Sequence, residues 1–265
     1  MLLWGRRSRL VLWAIFGVVF TVIVLAPLVM IVLASFAGSW TGILPSRLTL
    51  EHYAGTLSGD TLASLSVSVQ TGVIASAASV LLGTWAALAV RAARPGLRRV
   101  VDAVFHLPIA VPSVVLGLAL LVAFSRPPVL LNGTRWIVLA GHLMIVLPFT
   151  YSTVSAAERR ADPLLAQVAG SLGASAARVL LRVRLPLLLP AMSASASLAL
   201  AMSLGELGAT IMLYPPDWRT LPVGIFALAD RGQPSLASAG TVVLLVVTLA
   251  GVTAAGRARG RATER

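Results

Sequence analysis

Six long apolar stretches, separated by shorter polar segments, dominate the hydrophobic pattern of this chain. Each stretch is a continuous run rich in Leu, Val and Ala, without the alternation of apolar and polar residues that marks the strands of a membrane barrel. Each reaches the roughly 20 residues that a helix needs to cross a hydrocarbon core of about 30 Å. The pattern therefore predicts an all-α integral membrane protein with about six transmembrane helices. These helices are expected at residues 10–36, 61–90, 100–125, 135–155, 190–212 and 236–255.

The composition of the chain agrees with this pattern. Hydrophobic residues make up 58% of the 265 residues and charged residues only 11%, whereas soluble domains carry roughly 25% charged residues. The chain has no cysteine, which excludes disulfides, thiolate metal ligands and cysteine nucleophiles. It also has no lysine, so all 21 basic residues are arginines.

The distribution of the arginines predicts the orientation of the chain in the membrane. Sixteen of the 21 lie before the first helix, in the second and fourth connections between helices, and after the last helix. Because cytoplasmic loops are enriched in basic residues, both termini are predicted to be cytoplasmic. The net charge of +12 then follows from topology, and nucleic-acid binding is not expected. The first apolar run is longer than the 7–15 residues of a cleavable signal, so it is expected to stay in the protein as a helix.

These assignments divide the chain into three parts. Residues 1–60 are predicted to form an N-terminal transmembrane helix and an outer loop, residues 61–255 a five-helix core, and residues 256–265 a basic cytoplasmic tail. Within the core, the cytoplasmic loop at residues 156–189 is unusually long. Long connections in compact proteins are commonly functional, so this loop is the first candidate for a functional element.

The loop has the pattern of two short helices rather than of a flexible linker. Asp162 is a good N-cap residue, and Pro163 suits the first position of a helix. Apolar residues then recur at helical spacing, and a second amphipathic run follows Gly170 and Gly173. The apolar residues of the first run are Leu164, Leu165, Val168 and Leu172. Two short helices that meet at a glycine turn predict a compact knob, shaped to insert into a groove of a partner protein.

The sequence of this loop resembles the EAA signature of ABC importer permeases. That signature is Glu-Ala-Ala, three residues, Gly, nine residues and Ile-x-Leu-Pro, and both spacings are kept here. The matching residues are Gln167, Val168, Ala169, Gly173, Val183, Leu185 and Pro186. The resemblance implies a type I ABC importer permease fold, in which the knob docks into a cleft on a separate ATPase subunit and transmits its closure to the membrane helices. Gln167 stands where the family usually has Glu, which removes the charge that a salt bridge at this position needs.

Two further segments resemble one branch of that family. The run from His106 to Gly117 is similar to the LPxAxPxxVxG segment of molybdate and sulfate permeases, and the run from Gly205 to Met212 to their GEFGAT segment. The continuation through residues 213–232 looks closest to 2-aminoethylphosphonate importer permeases. The resemblance implies import of a small oxyanion or phosphonate across a bacterial inner membrane, with iron and thiamine, carried by the same branch, as alternatives. It also implies three protein partners: an ATPase subunit, a second permease that is identical or paralogous, and an extracytoplasmic substrate-binding protein.

Five residues inside the predicted helices are candidates for the translocation pathway or its gate. Pro108 and Pro112 each remove a backbone hydrogen bond, so helix three is expected to be kinked, either as a gating element or as static packing. Glu206 is the only acidic residue deep in a predicted membrane helix, where an ionised carboxylate is costly. We expect a structural or gating role for it at a subunit interface, with direct substrate contact as the alternative. Gly205 and Gly208 permit close approach of helices.

Four other polar or aromatic residues receive simpler interpretations. His142 lies within predicted helix four, where a packing histidine with satisfied hydrogen bonds is expected. Asp102 and His106 are one turn apart, and a solvated interfacial position is favoured over a functional pair. Trp218, in the outer loop before the last helix, is either an interfacial anchor or part of a docking surface for the binding protein.

Several activities are excluded by what the sequence lacks. Without lysine the chain cannot contain a GxxxxGK[ST] segment, so ATP hydrolysis is expected in a separate chain. The sequence has no evident catalytic constellation, metal-ligand cluster or dinucleotide fingerprint, so neither enzymatic activity nor a cofactor or metal is expected. The main alternative is a self-contained secondary transporter or channel. Such proteins are marked by inverted repeats or several intramembrane ionisable residues, and neither feature is evident here.

Overall fold

The computed structural model describes residues 5–40, 42, 45, 47–91 and 93–263, without the side chains of residues 6, 7 and 258–263. Parts of the predicted N-terminal segment, outer loop and basic tail therefore lie outside the described residues. The α-helices are α1 Arg6–Phe20, α2 Ala26–Ser35, α3 Glu51–Thr56, α4 Gly59–Arg91, α5 Pro95–His106, α6 Ser113–Ala123, α7 Arg135–Arg160, α8 Pro163–Ser171, α9 Ala176–Val179, α10 Leu185–Leu204, α11 Gly208–Leu213, α12 Leu221–Asp230 and α13 Pro234–Thr263. The strands are β1 Ala37–Ser39 and β2 Arg47–Leu48.

Within the described residues, five continuous helical segments are long and apolar enough to cross a membrane. They are Ser8–Ser35, Gly59–Arg91, Arg135–Arg160, Ala176–Leu204 and Pro234–Arg257. A sixth span results if α5 and α6 are counted together with the 3-10 turn that follows α5, although the two halves are bent by 108°. The prediction of an all-helical membrane protein with about six transmembrane helices is therefore confirmed.

Short π-helical turns join helices within two of these spans. Thr21–Leu25 joins α1 to α2, and Leu180–Arg184 joins α9 to α10. In the second case the wider turn ends two residues before Pro186, which has no N–H to donate to the preceding turn. Because α9 continues through the π turn into α10, the fifth span begins at Ala176 and not near residue 190 as the sequence pattern predicts.

The chain divides into two compact units, and the smaller consists of Met1–Leu62 with Gly224–Val243. Its first helix exposes apolar side chains on all sides, an arrangement that suits lipid and not water. After α2, strands β1 and β2 pair in antiparallel fashion. Helix α3 is tied to this pair because His52 Nε2 lies 3.1 Å from the Ala37 carbonyl oxygen. The Tyr53 ring packs at a tilted angle against the Phe36 ring, with ring centroids 5.1 Å apart, and its hydroxyl lies 2.7 Å from Ser35 Oγ.

The larger unit consists of Ala63–Val223 with Leu244–Arg265, and α7 lies at its centre. Helix α7 packs against α5, α6, α10 and α11. Toward its C-terminal end, Tyr151 and Val154 form a buried cluster with Ala87, Val90 and Leu188. Toward its N-terminal end, a second buried cluster contains Ile137, Val138, Ala209 and Leu213. Between them the Ser79 hydroxyl donates to Thr150 Oγ1 at 2.7 Å, so a buried polar contact holds α4 to α7.

Candidate translocation pathway and coupling loop

The third span is broken, and its two prolines explain where. Val111 is extended, with φ −111° and ψ 129°, as expected for a residue that precedes proline. Pro112 is extended as well and forms the N-cap of α6. Pro108 lies in the 3-10 turn Leu107–Ala110 that follows α5. The sequence predicts a kink at this point, but two consecutive extended residues separate the span into two half-helices.

The helix predicted at residues 190–212 is interrupted too: the fifth span ends at Leu204, just before the segment that contains Glu206. Helix α10 ends at Leu204, Gly205 is its C-cap, and α11 begins at Gly208. Glu206 Oε1 accepts a hydrogen bond of 2.7 Å from the backbone N–H of Ala209. The carboxylate therefore caps the first turn of α11, and it does not lie inside a continuous membrane helix as the sequence pattern predicts.

The two interruptions pack directly against each other. Helices α6 and α11 are in extensive contact, and glycines at two positions make this possible. A Cβ atom added to Gly117 would lie 2.8 Å from the Ala209 Cα atom. One added to Gly208 would lie 3.2 Å from the Val114 backbone nitrogen. The structure thus brings Gly208 of α11 beside the residues that follow Pro112 in the third span.

His142 connects the two sides of the break between α10 and α11. Its imidazole is 1% exposed and lies on α7. The Nδ1 atom is 2.7 Å from Ser203 Oγ, at the end of α10, and Nε2 is 2.8 Å from Thr210 Oγ1, in α11. The predicted satisfied histidine is found, but its position at the break makes it a further site residue. The spacing of Ser203 and Thr210 on either side of Glu206 is the sequence signal that could have indicated this.

The EAA-like loop forms the predicted pair of short helices. The Asp162 side chain accepts a hydrogen bond of 2.9 Å from the backbone N–H of Leu164 and so caps the start of α8. Gly173 then adopts φ +83°, a conformation that glycine tolerates without strain. Two backbone bonds close the turn, from Gly173 N to Gly170 O and from Ala174 N to Ala169 O, each at 3.0 Å. Ser175 Oγ caps α9 by accepting from Arg178 N at 3.4 Å.

The EAA-like residues are distributed along this segment in chain order. Gln167, Val168 and Ala169 lie on α8, and Gly173 forms the turn. Val183 lies in the π turn, and Leu185 and Pro186 begin α10. Since α7 extends to Arg160 and the fifth span begins at Ala176, the connection between spans is shorter than the predicted 156–189.

The knob exposes the apolar face that the sequence predicts for α8. Leu164, Leu165 and Val168 are each about half exposed, and Leu172 at the end of the helix is 82% exposed. Exposed apolar side chains that lie together in one patch mark an interaction site, whereas scattered single ones do not. The apolar face of α8 is therefore a candidate docking surface.

An ion pair fixes the base of the knob. Arg91, the last residue of α4, donates from Nη1 to Glu158 Oε1 in the last turn of α7. The Glu158 side chain is 4% exposed and that of Arg91 30% exposed. The sequence pattern predicts that Glu158 lies at the start of the cytoplasmic loop. It does not predict the pair with Arg91, because the two residues are 67 positions apart.

The segment before α12 is tied to α4 by three hydroxyl groups on one face of that helix. Trp218 Nε1 donates to Thr71 Oγ1 at 3.0 Å, and Arg219 Nε to Ser64 Oγ at 3.3 Å. The backbone N–H of Leu221 donates to Ser68 Oγ at 2.7 Å. The Trp218 ring also packs on the apolar cluster around Leu213, so it acts as a packing residue and not as a simple interfacial anchor. Within the described part of the chain, no three His, Asp or Glu side chains are placed to hold a metal ion.

Comparison with protein families gives one match, and it covers most of the large unit. The family of binding-protein-dependent transport system inner membrane components matches residues 79–259. That range includes the broken third span, the break between α10 and α11, and the knob.

Curated proteins resemble the chain along nearly its whole length. It is 44% identical over 249 residues to the 2-aminoethylphosphonate transport system permease protein PhnV of Salmonella typhimurium, and the alignment covers 94% of each chain. It is 26% identical to the spermidine/putrescine transport system permease protein PotC of Escherichia coli, over 84% of each chain.

Solved structures share the fold at low sequence identity. A chain of a bacterial alginate ABC transporter, in complex with an alginate pentasaccharide-bound periplasmic protein, matches with a TM-score of 0.75 and 18% identity, over 94% of this chain and 93% of that one. A chain of an amino acid ABC transporter matches with a TM-score of 0.58 and 15% identity, over 80% of this chain and 96% of that one.

Proposed function

Since the chain belongs to the family of binding-protein-dependent transport system inner membrane components, we propose that it imports 2-aminoethylphosphonate or a closely similar small phosphonate. It is a multi-pass permease of the bacterial inner membrane, and the proposal concerns its substrate, its partners and its site residues. The observation that carries the substrate is the 44% identity to PhnV of Salmonella over 94% of both chains. The polyamine permease PotC, at 26% identity, is a weaker guide.

The broken third span and the break between α10 and α11 supply the gate in this proposal. Half-helices that end at membrane depth are tolerated where they line a pathway or pack within protein. Here α6 and α11 begin beside each other, and His142 joins both sides of the second interruption. A small movement of α11 relative to α10 changes the distance between α11 and α6. The backbones of these two helices are in close contact at Gly117 and Gly208. The chain thus has a two-part element that can open and close without unfolding a helix.

The knob supplies the connection to ATP hydrolysis. Its exposed apolar face docks on a separate ATPase subunit, and its base is rigidly held by Arg91 and Glu158. Because α9 continues through the π turn into α10, a displacement of the knob is transmitted along one helix to the interruption at Gly205. Without lysine the chain has no GxxxxGK[ST] segment, so in this proposal the partner hydrolyses ATP and the chain acts as a non-catalytic transport subunit.

Two further partners complete the importer. A second permease, identical or paralogous, provides the other half of the pathway, and an extracytoplasmic binding protein delivers the substrate. The solved alginate transporter, which shares this fold, is in complex with a periplasmic protein. The segment that Trp218 and Arg219 hold on α4 is the surface that we assign to docking of the binding protein.

Uptake measurements test the substrate. The gene for the chain is deleted in its own host, and accumulation of radiolabelled 2-aminoethylphosphonate is compared with that in the parent and in a complemented strain. Loss of uptake on deletion, with competition by unlabelled 2-aminoethylphosphonate and not by sulfate, molybdate, thiamine or spermidine, is the expected result. Unchanged uptake, or competition by one of the other compounds alone, would assign the permease to a different substrate.

Energy dependence tests the alternative mechanism. Uptake by an importer with an ATPase subunit stops when ATP is depleted and continues when only the proton gradient is collapsed. A self-contained secondary transporter gives the opposite result. Co-purification of the tagged chain from native membranes then identifies its subunits directly.

A further inference from the structure

A cavity of about 190 Å³ lies where the predicted cytoplasmic ends of α4, α5 and α7 meet, behind the start of α8. Its walls include three arginine side chains, one from each of these helices: Arg91, Arg98 and Arg159. It also reaches Ser155 and Glu158 on α7. The cavity is distinct from the interruptions at Pro112 and Gly205, whose residues do not line it.

The charges around the cavity do not cancel. Arg91 is paired with Glu158, which leaves Arg98 and Arg159 without a carboxylate among the residues that line the cavity. Asp102 on α5 is close by, but it accepts a hydrogen bond from the Tyr151 hydroxyl and does not line the cavity. Two guanidinium groups from different helices therefore face a common space that no acidic side chain of the lining neutralises.

A buried hydroxyl adds a second, independent observation. Ser155 is 6% exposed, and its Oγ has no hydrogen bond that meets ordinary distance and angle limits, although the Tyr151 hydroxyl is near enough to interact with it. Its neighbour Tyr151 already donates to Asp102. A buried polar atom without a partner costs about 1–3 kcal/mol, and such atoms in native proteins commonly have a water or a ligand as partner. The Ser155 hydroxyl lines the same cavity as the two arginines.

The arginines alone have a simpler explanation, because basic residues concentrate on the cytoplasmic side of membrane proteins. That rule explains how many arginines lie on this side of the membrane. It does not explain why Arg98 and Arg159 line the same cavity. Arg99 and Arg160, the sequence neighbours of Arg98 and Arg159, serve topology equally well, yet neither lines the cavity. Arg159 is exposed as they are, so the shared cavity and the buried hydroxyl, and not exposure, distinguish the first pair from the second.

We propose that this cavity, lined by Arg98, Arg159 and Ser155, binds a tetrahedral phosphate-type anion. Guanidinium groups bind phosphate oxygens with paired, charge-assisted hydrogen bonds, and a serine hydroxyl donates one more. Two unneutralised arginines match the charge of a phosphate or phosphonate. The group can come from the headgroup of an anionic lipid in the inner leaflet or from a free phosphate or phosphonate in the cytoplasm. The site lies next to the base of the knob, so occupancy would stiffen the element that meets the ATPase. The inference does not depend on the substrate proposed above.

Two binding measurements test the site and separate the two sources. The full-length chain, with the subunits that co-purify with it, is placed in nanodiscs of phosphatidylcholine, and binding of radiolabelled inorganic phosphate is measured by equilibrium dialysis. In parallel, nanodiscs doped with phosphatidylglycerol are examined by native mass spectrometry for retained lipid. The variants are Arg98→Gln, Arg159→Gln and Ser155→Ala, and the matched controls are Arg99→Gln and Arg160→Gln. Any phosphate that binds to co-purified subunits is common to all variants and is removed by difference.

The expected result is a loss of affinity of roughly tenfold or more for the cavity variants, with the controls unchanged. Loss in the dialysis experiment assigns the site to a free anion, and loss of retained phosphatidylglycerol alone assigns it to a lipid headgroup. If the cavity variants and the controls behave alike with both probes, the arginines form an ordinary basic face and the proposal is wrong. Ser155→Ala keeps the charges and the fold intact, so a Ser155→Ala protein that binds like wild type overturns the assigned role of the hydroxyl by itself.

Discussion

Arg91 and Glu158 form an ion pair that joins the last residue of α4 to the last turn of α7. The two partners differ in their surroundings, since the Glu158 side chain is almost fully buried and the Arg91 side chain is partly exposed. The pair lies immediately before the turn into α8, so it fixes the point from which the knob projects. This asymmetry decides which half of the pair the protein can lose more easily.

Removal of Arg91 is predicted to be more damaging than neutralisation of Glu158. Arg91→Ala leaves a buried carboxylate without its counter-charge, a change that costs about 3–5 kcal/mol. Glu158→Gln leaves Arg91, which can turn toward water, and is expected to cost less. The midpoint of thermal unfolding, followed by tryptophan fluorescence, should therefore fall further for Arg91→Ala. The double variant Arg91→Gln with Glu158→Gln should recover part of the loss, and three midpoints that all equal the wild-type value would show that the pair is not stabilising.

The turn at Gly173 is predicted to require glycine. An L-residue at φ +83° costs roughly 1–2 kcal/mol, so Gly173→Ala should distort the turn that separates α8 from α9. Gly170 provides a matched control, because it is helical and has open space around it as Gly173 does, but without a positive φ. Stimulation of ATPase activity by substrate-loaded binding protein should be reduced by Gly173→Ala and retained by Gly170→Ala. A Gly173→Ala complex with normal stimulation would argue against a rigid knob.

The sequence predicts the knob better than it predicts the gate, and the reason is the range of the contacts involved. The knob depends on local features such as the cap at Asp162 and the glycine at 173, which can be recognised within ten residues. The third span contains a similar local signal, because Val111 precedes Pro112 and is disfavoured in a helix. That signal indicates where the helix stops, but the bend of 108° depends on packing against α11.

The contacts that hold the proposed gate and the base of the knob together connect residues far apart in sequence. Gly117 meets Ala209, His142 meets both Ser203 and Thr210, and Arg91 meets Glu158. Each of these residues has several partners of suitable chemistry along the chain. Glu158, for example, could pair with any cytoplasmic arginine. Periodicity and composition do not choose between such partners, because the choice follows from the relative positions of the packed helices.

The contact between α6 and α11 is predicted to exclude any side chain at position 117. In Gly117→Ala the new methyl group would lie 2.8 Å from backbone atoms of Ala209, a distance that only a shift of the backbone can relieve. Overpacking of this kind costs about 1–3 kcal/mol, and it separates α6 from α11 at the proposed gate. Uptake should fall strongly in Gly117→Ala while the protein still assembles. Gly96→Ala is the control, since a Cβ atom there meets nothing within 4 Å, and equal uptake by the two variants would contradict a close contact at the gate.

The hydrogen bonds of His142 are predicted to hold the two sides of the break between α10 and α11 together. His142→Leu fills a similar volume but leaves Ser203 and Thr210 without their shared partner. The loss should destabilise the protein by about 1–3 kcal/mol, because both hydroxyls are buried, although the Thr210 hydroxyl can fall back on the Glu206 carbonyl oxygen, 3.4 Å away. His142→Gln can replace one or both bonds and should recover part of the stability. The two variants are compared by thermal unfolding and by uptake, since a link across the gate should affect transport more than a packing residue would. If His142→Leu unfolds and transports like wild type, the histidine fills space at the break and does not link its two sides.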